Sequence, residues 1–271
     1  MSSPAKHSTR PLLLAVFAHP DDETFLAGGT LAKYAHLGWD VFLVCATYGE
    51  SGQRGEYKAL GANEFASVRR AELEAACKVL GIHRPMFLEC ADRAVAGICW
   101  NSAAKQVAHI LRRLHPDVVI TFGPDGISGH PDHVAMSQIV SSAFWAATVH
   151  TFPGQVKRPH PASLYYALRS PSVPEGCKRN ETTALPSLTT LIDIAGAGEQ
   201  KLAAMSCHRS QRHLQPSTEE AKRAVLESPE YFHRAFPPWE DTTVEHGFET
   251  ISESAAQQPQ NNEVEHATTR K

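Results

Sequence analysis

The chain has 271 residues, 42% of them hydrophobic, and a formal net charge of −3. That length is enough for one large or two small domains with a sizeable core. A charge so close to zero excludes electrostatic capture of nucleic acid or of a membrane surface as an organising feature. No apolar run is long enough to span a bilayer.

Taken in order, residues 1–10 are polar and read as a loose N-terminus. Residues 12–18 read as a buried strand, and 25–37 as a helix stopped by Gly38. A second strand is expected at 41–47. An amphipathic helix over 64–80 ends at Gly81, a residue suited to a helix C-terminus. Strand and helix follow at 84–90 and 102–114, then a strand at 118–122 and a helix over about 132–149. Residues 152–161 and 171–187 read as loops between weaker strand patterns at 163–169 and 189–194. Helices are expected at 199–207 and 219–227. From Ser252 the chain is rich in Gln, Asn, Ser, Thr and charge, a disordered composition. Strands alternating with helices of this length predict a Rossmann-like, three-layer α/β/α fold with a mostly parallel sheet. One domain over 11–250 is expected, with a disordered tail at 251–271.

The six cysteines show no C-x-x-C or zinc-ribbon spacing, and most fall inside apolar patterns. Reduced, buried thiols in a cytoplasmic protein are expected. Lys6, Arg10 and the run after them look superficially like an export signal, but cleavage there would end the first strand just before His19. Trp100, Trp145 and Trp239 are candidates for a homo-oligomer contact.

Two clusters carry chemistry. "AHPDDE" (18–23) follows the first strand, and "GPDGISGHPDH" (123–133) follows the fourth. Ligands of open parallel sheets bind beyond the carboxyl ends of the strands, so two such loops open on one edge. His19 and Asp22 are spaced to reach one metal from a tight turn, with His133 as a third ligand. Two imidazoles and a carboxylate form a catalytic zinc set that leaves a position for water. Asp21 then stands beside the metal as a general base. His130, one turn from His133, is placed to donate a proton or steady an oxyanion. Asp132 is expected to orient His130. The competing reading is that residues 21–23 only cap a helix; two His/Asp clusters at equivalent strand ends weigh against it.

"AHPDDE", "AGGTLA", "TYGESG", "VRRAELEAACKVLG", "GPDGISGHPDH" and "KLAAMSCHRSQ" occur in this order, and together they resemble the PIG-L/LmbE-like family. Its characterised members are largely zinc-dependent deacetylases of N-acetylglucosamine-bearing molecules. The resemblance implies His19, Asp22 and His133 as zinc ligands, Asp21 as general base and His130 as general acid or oxyanion stabiliser. All five positions are occupied, which implies an active enzyme. Arg69, in the R-x-x-E helix, is implied as a substrate-side or site-supporting contact; the alternative is a surface arginine pairing with Glu72 or Glu74. Asp92 and Glu50 are expected to line the substrate pocket, with a turn-capping role as the alternative for Asp92. Lys201, His208 and Gln211 match the last motif without an assigned role. Gly28 and Gly29 are expected to let helix and strand approach closely.

The expected reaction is hydrolysis of an N-acetyl group, releasing acetate, from a small N-acetylglucosaminyl molecule. Zinc is the expected metal, with iron(II) or cobalt(II) also suited to the ligands. A related amidase acting on a thiol conjugate would use the same five residues. A nucleotide-binding protein without enzymatic activity is disfavoured, since no G-x-G-x-x-G follows the first strand.

Overall fold

The computed structural model describes residues 10–149, 161–169, 186–239 and 243–248. The expected N-terminal segment, most of both long loops and the tail lie outside the described residues. Among them the strands are β1 (Leu12–Phe17), β2 (Asp40–Thr47), β3 (Met86–Cys90), β4 (Val118–Phe122), β5 (Ser163–Leu168), β6 (Thr190–Ile192) and β7 (Glu230–Phe236). They form one sheet in the order β3-β2-β1-β4-β5-β7-β6. The first five in that order are parallel. β7 runs antiparallel to both β5 and β6.

β1 (LLLAVF) and β4 (VVITF) sit at the centre of this sheet and are covered on both faces. That is why their sequences are continuous apolar runs and do not alternate. The chain moves outward from β1 to β3, then crosses back to place β4 on the other side of β1. This reversal divides the helices between the two faces of the sheet. α1 (Asp22–His36), α2 (Ala62–Leu80) and α6 (Gly198–Cys207) pack together on one face, with α7 (Glu219–Glu227) against α6. α3 (Trp100–Leu114) and α5 (Pro131–Val149) pack together on the other. A single turn, α4 (Gly126–Gly129), precedes α5.

Three boundaries depart from expectation in ways that matter. α1 starts at Asp22, so the acidic run itself forms the first turn of the helix. α4 lies inside a segment whose sequence reads as a plain loop. β7 has no counterpart among the expected strands: EYFHRAF is half polar, and only pairing on both edges makes it a strand. Of the three tryptophans, Trp145 is exposed while Trp100 and Trp239 are half-buried. The Trp239 indole donates to the Thr243 carbonyl at 2.7 Å. No helix among the described residues is long and apolar enough to cross a membrane.

β7 also anchors α1. The buried Glu230 carboxylate accepts from the backbone N–H groups of Gly29 at 2.9 Å and Thr30 at 2.7 Å, and from Lys201 Nζ at 2.6 Å. Lys201 therefore serves a buried ion pair between α6 and β7. Here helix and neighbouring chain approach so closely that a Cβ on Gly29 would lie 2.5 Å from Ile194 Cδ1. Gly29→Ala is expected to lower stability by about 1–3 kcal/mol through overpacking. A drop in Tm relative to the parent protein checks this; an unchanged Tm would contradict the close approach.

Candidate active site

The sheet order reverses between β1 and β4, the place where open α/β sheets bind ligands. The loop after β1 delivers His19, Asp21 and Asp22. The loop after β4 delivers His130 and His133. Both clusters meet there, although His19 and His133 are 114 residues apart in the chain.

His19 Nδ1 lies 3.1 Å from His133 Nε2. Asp22 Oδ1 is 3.3 Å from His133 Nε2, and Asp22 Oδ2 is 3.6 Å from His19 Nδ1. A tetrahedral zinc with ligands at about 2.0–2.1 Å sets neighbouring donors roughly 3.3 Å apart. The three side chains are therefore close enough to share one small divalent ion, with one Asp22 oxygen toward each imidazole. Their remaining atoms are arranged to support that role. His133 Nδ1 faces the Gly126 carbonyl at 3.1 Å, which leaves Nε2 free as a ligand atom. Its ring stacks on Phe122 with centroids 4.2 Å apart. His19 Nε2 faces two carboxylates, Asp92 at 3.2 Å and Asp132 at 3.4 Å. A carboxylate behind a histidine fixes its orientation and makes it a stronger ligand.

The charge balance also favours a cation. Burial opposes charge on His19, yet the carboxylates of Asp132, Asp22 and Asp92 raise its pKa well above the ordinary value. Burial likewise opposes charge on Asp22, but His133 and His19 hold it far below the usual carboxylate range. In this pocket the acids demand positive charge, which a metal on the same atoms supplies.

Asp21 has a different environment. Its Oδ2 accepts from Arg69 Nη2 at 3.1 Å, and the same guanidinium donates to the carbonyls of Pro20 and Gly49. Burial, with Asp22 and Glu23 adding, pushes Asp21 up to about 7 against the pull of Arg69. That is a good range for a general base. Its backbone is strained: φ is 126°, a region L-residues rarely enter.

His130 completes the rim. Its Nδ1 accepts from the Asp132 backbone N–H at 3.2 Å. The neutral ring therefore carries its proton on Nε2, as a donor. Burial and the facing His19 and His133 lower the His130 pKa, which favours that neutral form.

Several expected roles look different in place. The Asp132 carboxylate does not orient His130; it accepts from the N–H groups of Arg93 and Val95 at 2.7 and 3.2 Å and faces His19. The reason is that the β3–α3 loop folds over the start of α5. Asp92 also backs His19, and its other oxygen accepts from Ser51 N–H at 2.9 Å. Glu50 Oε1 accepts from Asp92 N–H at 2.8 Å, so these two rim acids brace one another. Glu50 Oε2 is buried without a hydrogen-bond partner among the described residues. Arg69 is buried against Asp21 and is no surface arginine. Glu74 instead pairs with Arg70 and Arg84, and Glu72 binds Ser210.

Two partners of this site, Glu23 and His208, are not evident from the sequence pattern. Glu23 has the position of a helix cap, and its Oε2 does accept from the Asp21 N–H at 3.0 Å, but its Oε1 meets His208 Nε2 at 2.6 Å. Burial pulls the His208 pKa down, and the Glu23 carboxylate more than offsets this, so the net shift is upward. Only the unassigned H-x-S-Q motif hints at that contact.

Residues 14–144 match the family described as PIG-L, GlcNAc-PI de-N-acetylase. A 1D-myo-inositol 2-acetamido-2-deoxy-alpha-D-glucopyranoside deacetylase of Rhodococcus opacus (strain B4) is 34% identical over 242 residues, covering 76% of this chain and 83% of that protein. The chain belongs to the PIG-L family. In shape, this PIG-L member resembles the N,N'-diacetylchitobiose deacetylase of Pyrococcus horikoshii, with a TM-score of 0.61, 23% identity, and 83% and 84% of the two chains covered. It also resembles GalB, the 4-carboxy-2-hydroxymuconate hydratase of Pseudomonas putida KT2440, with a TM-score of 0.67, 21% identity, and 86% and 100% covered. Those two likenesses concern the fold. Deacetylase and hydratase share it, so the reaction has to be argued from the residues of the site.

Two outcomes are expected. Asp22→Ala and His133→Ala should each lose bound metal after dialysis, measured by elemental analysis, while Asp21→Asn keeps it; full metal content in either ligand variant would remove that residue from the set. A Cβ on Gly49, whose φ is +68°, would lie 2.0 Å from Arg69 Nη1. Gly49→Ala should therefore displace Arg69 and lower both Tm and turnover.

Proposed function

We propose that this chain is a metal-dependent N-deacetylase that removes the acetyl group from an N-acetylglucosaminyl inositol. The observation that carries the reading is the convergence of His19, Asp22 and His133 on one point with Asp21 and His130 beside it. The substrate class is supported by the 34% identical relative and its printed activity. Zinc suits two imidazoles and a carboxylate, and iron(II) or cobalt(II) would also be accepted by them.

A bound divalent ion would polarise the acetamide carbonyl and acidify water in the pocket. The remaining chemistry belongs to the side chains. Asp21 takes the proton from the attacking water, held in place by Arg69. His130 presents its Nε2–H to the oxygen that gains negative charge, because Nδ1 is already occupied as an acceptor. As the C–N bond breaks, the proton that Asp21 took from water passes to the leaving amine, so that Asp21 is ionised again and His130 stays neutral throughout. Acetate and the free amino sugar result. At the rim both Asp92 oxygens are taken, by His19 and by the Ser51 N–H, which leaves Glu50 Oε2 as the carboxylate oxygen suited to a sugar hydroxyl.

Purified protein should release acetate from the N-acetylglucosaminyl inositol, and a chelator should abolish that release. Asp21→Ala should retain its metal and lose about 10²–10⁴ in kcat. Cleavage of a thiol-conjugate amide with no acetate release from any N-acetyl sugar would overturn the reading.

A further inference from the structure

The motif KLAAMSCHRSQ ends α6 and runs into the following 3₁₀ turn, and it contains none of the five residues proposed for catalysis and metal binding. Its histidine is nevertheless wired to the general base. His208 is fully buried, and its Nε2 lies 2.6 Å from Glu23 Oε1. Glu23 is equally buried, and its other oxygen accepts from the Asp21 backbone N–H at 3.0 Å. Asp21 is the residue with φ at 126°. Such a backbone persists only when its surroundings hold it. Its two backbone groups are held differently. The carbonyl accepts from the Thr24 hydroxyl at 2.9 Å and from the N–H groups of Thr24 and Phe25 at 3.0 and 3.2 Å, whereas the N–H is gripped by Glu23.

The far end of this linkage is fixed as firmly. Gln215 Nε2 donates to the His208 carbonyl at 2.9 Å. Ser210 donates its N–H and hydroxyl to Glu72 at 2.8 and 2.6 Å. Glu72 lies one turn along α2 from Arg69, which holds the Asp21 carboxylate. The R-x-x-E helix therefore restrains the base at the side chain directly and at the backbone through the H-x-S-Q segment.

Resting on the deacetylase reading, we infer that Glu23 and His208 are positioning residues that hold the strained Asp21 backbone so that its carboxylate meets the attacking water. Neither belongs to the metal set nor reaches the substrate side. A displacement of about 1 Å in a reacting group costs on the order of a hundredfold in rate.

The test compares four variants of the metal-loaded full chain, and one control, on the N-acetylglucosaminyl inositol. His208→Ala and Glu23→Ala should each lower kcat at least about tenfold, with KM within about twofold and metal content unchanged. The double variant should be no slower than Glu23→Ala alone, since both act through one hydrogen bond. Glu23→Gln keeps an acceptor for the Asp21 N–H, and its amide N–H donates to His208 Nε2 once that ring carries its proton on Nδ1, so it should restore kcat to within about threefold. Lys201→Met is the control. It breaks a second buried pair, also 2.6 Å, whose carboxylate binds α1 two turns away at Gly29 and Thr30 and makes no bond to Asp21, Glu23 or His208. It should lower Tm as much as His208→Ala while leaving kcat intact. Equal kcat losses in His208→Ala and Lys201→Met would overturn the inference, as would metal loss in step with the kcat loss. Should His208→Ala not fold, Glu23→Ala against Glu23→Gln decides: equal kcat values in those two overturn it. A wild-type protein that releases no acetate would instead refute the deacetylase reading.

Discussion

Three carboxylates in a row stand in a corner of the fold from which water is largely excluded. Asp21, Asp22 and Glu23 are all buried, and like charges at such spacing repel strongly away from water. The fold resolves this by turning each toward different basic side chains. Asp21 faces Arg69, Asp22 faces His19 and His133, and Glu23 faces His208. That separation keeps the three carboxylates from competing for one partner. Each pairing also suits its carboxylate to a distinct proposed role, as base, metal ligand or backbone anchor.

Apart from His19, which shares their loop, the partners come from three separate regions. Arg69 is on α2, His133 opens α5, and His208 closes α6. α1 begins at the acidic run, so the sheet and both helical layers are needed to complete its first turn. The part of the chain beyond β5 is thus more than a lid on the parallel half. β7 holds α1 through Glu230, and the end of α6 holds the loop before α1 through Glu23. Histidine orientation follows the same logic. Phe122 and the Gly126 carbonyl set His133, and Asp92 with Asp132 flanks His19.

Residue chemistry and local periodicity are enough to read the alternating strands and helices, the two clusters at strand ends and the five residues proposed for catalysis and metal binding. These are local properties: a continuous apolar run marks a doubly covered strand, and an acid-histidine loop after it marks a sheet edge. Partner choice is not local. His208 is 185 residues from Glu23, Ser210 is 138 from Glu72, and Arg69 is 48 from Asp21. The side-chain direction of Asp132 depends on how the β3–α3 loop crosses α5. β7 needs two neighbours to supply the hydrogen bonds its half-polar sequence does not advertise. Which groups are present, and at which edge they gather, follows from the order of residues alone. Which acid each cation neutralises follows from packing between layers, and no window of sequence contains that packing.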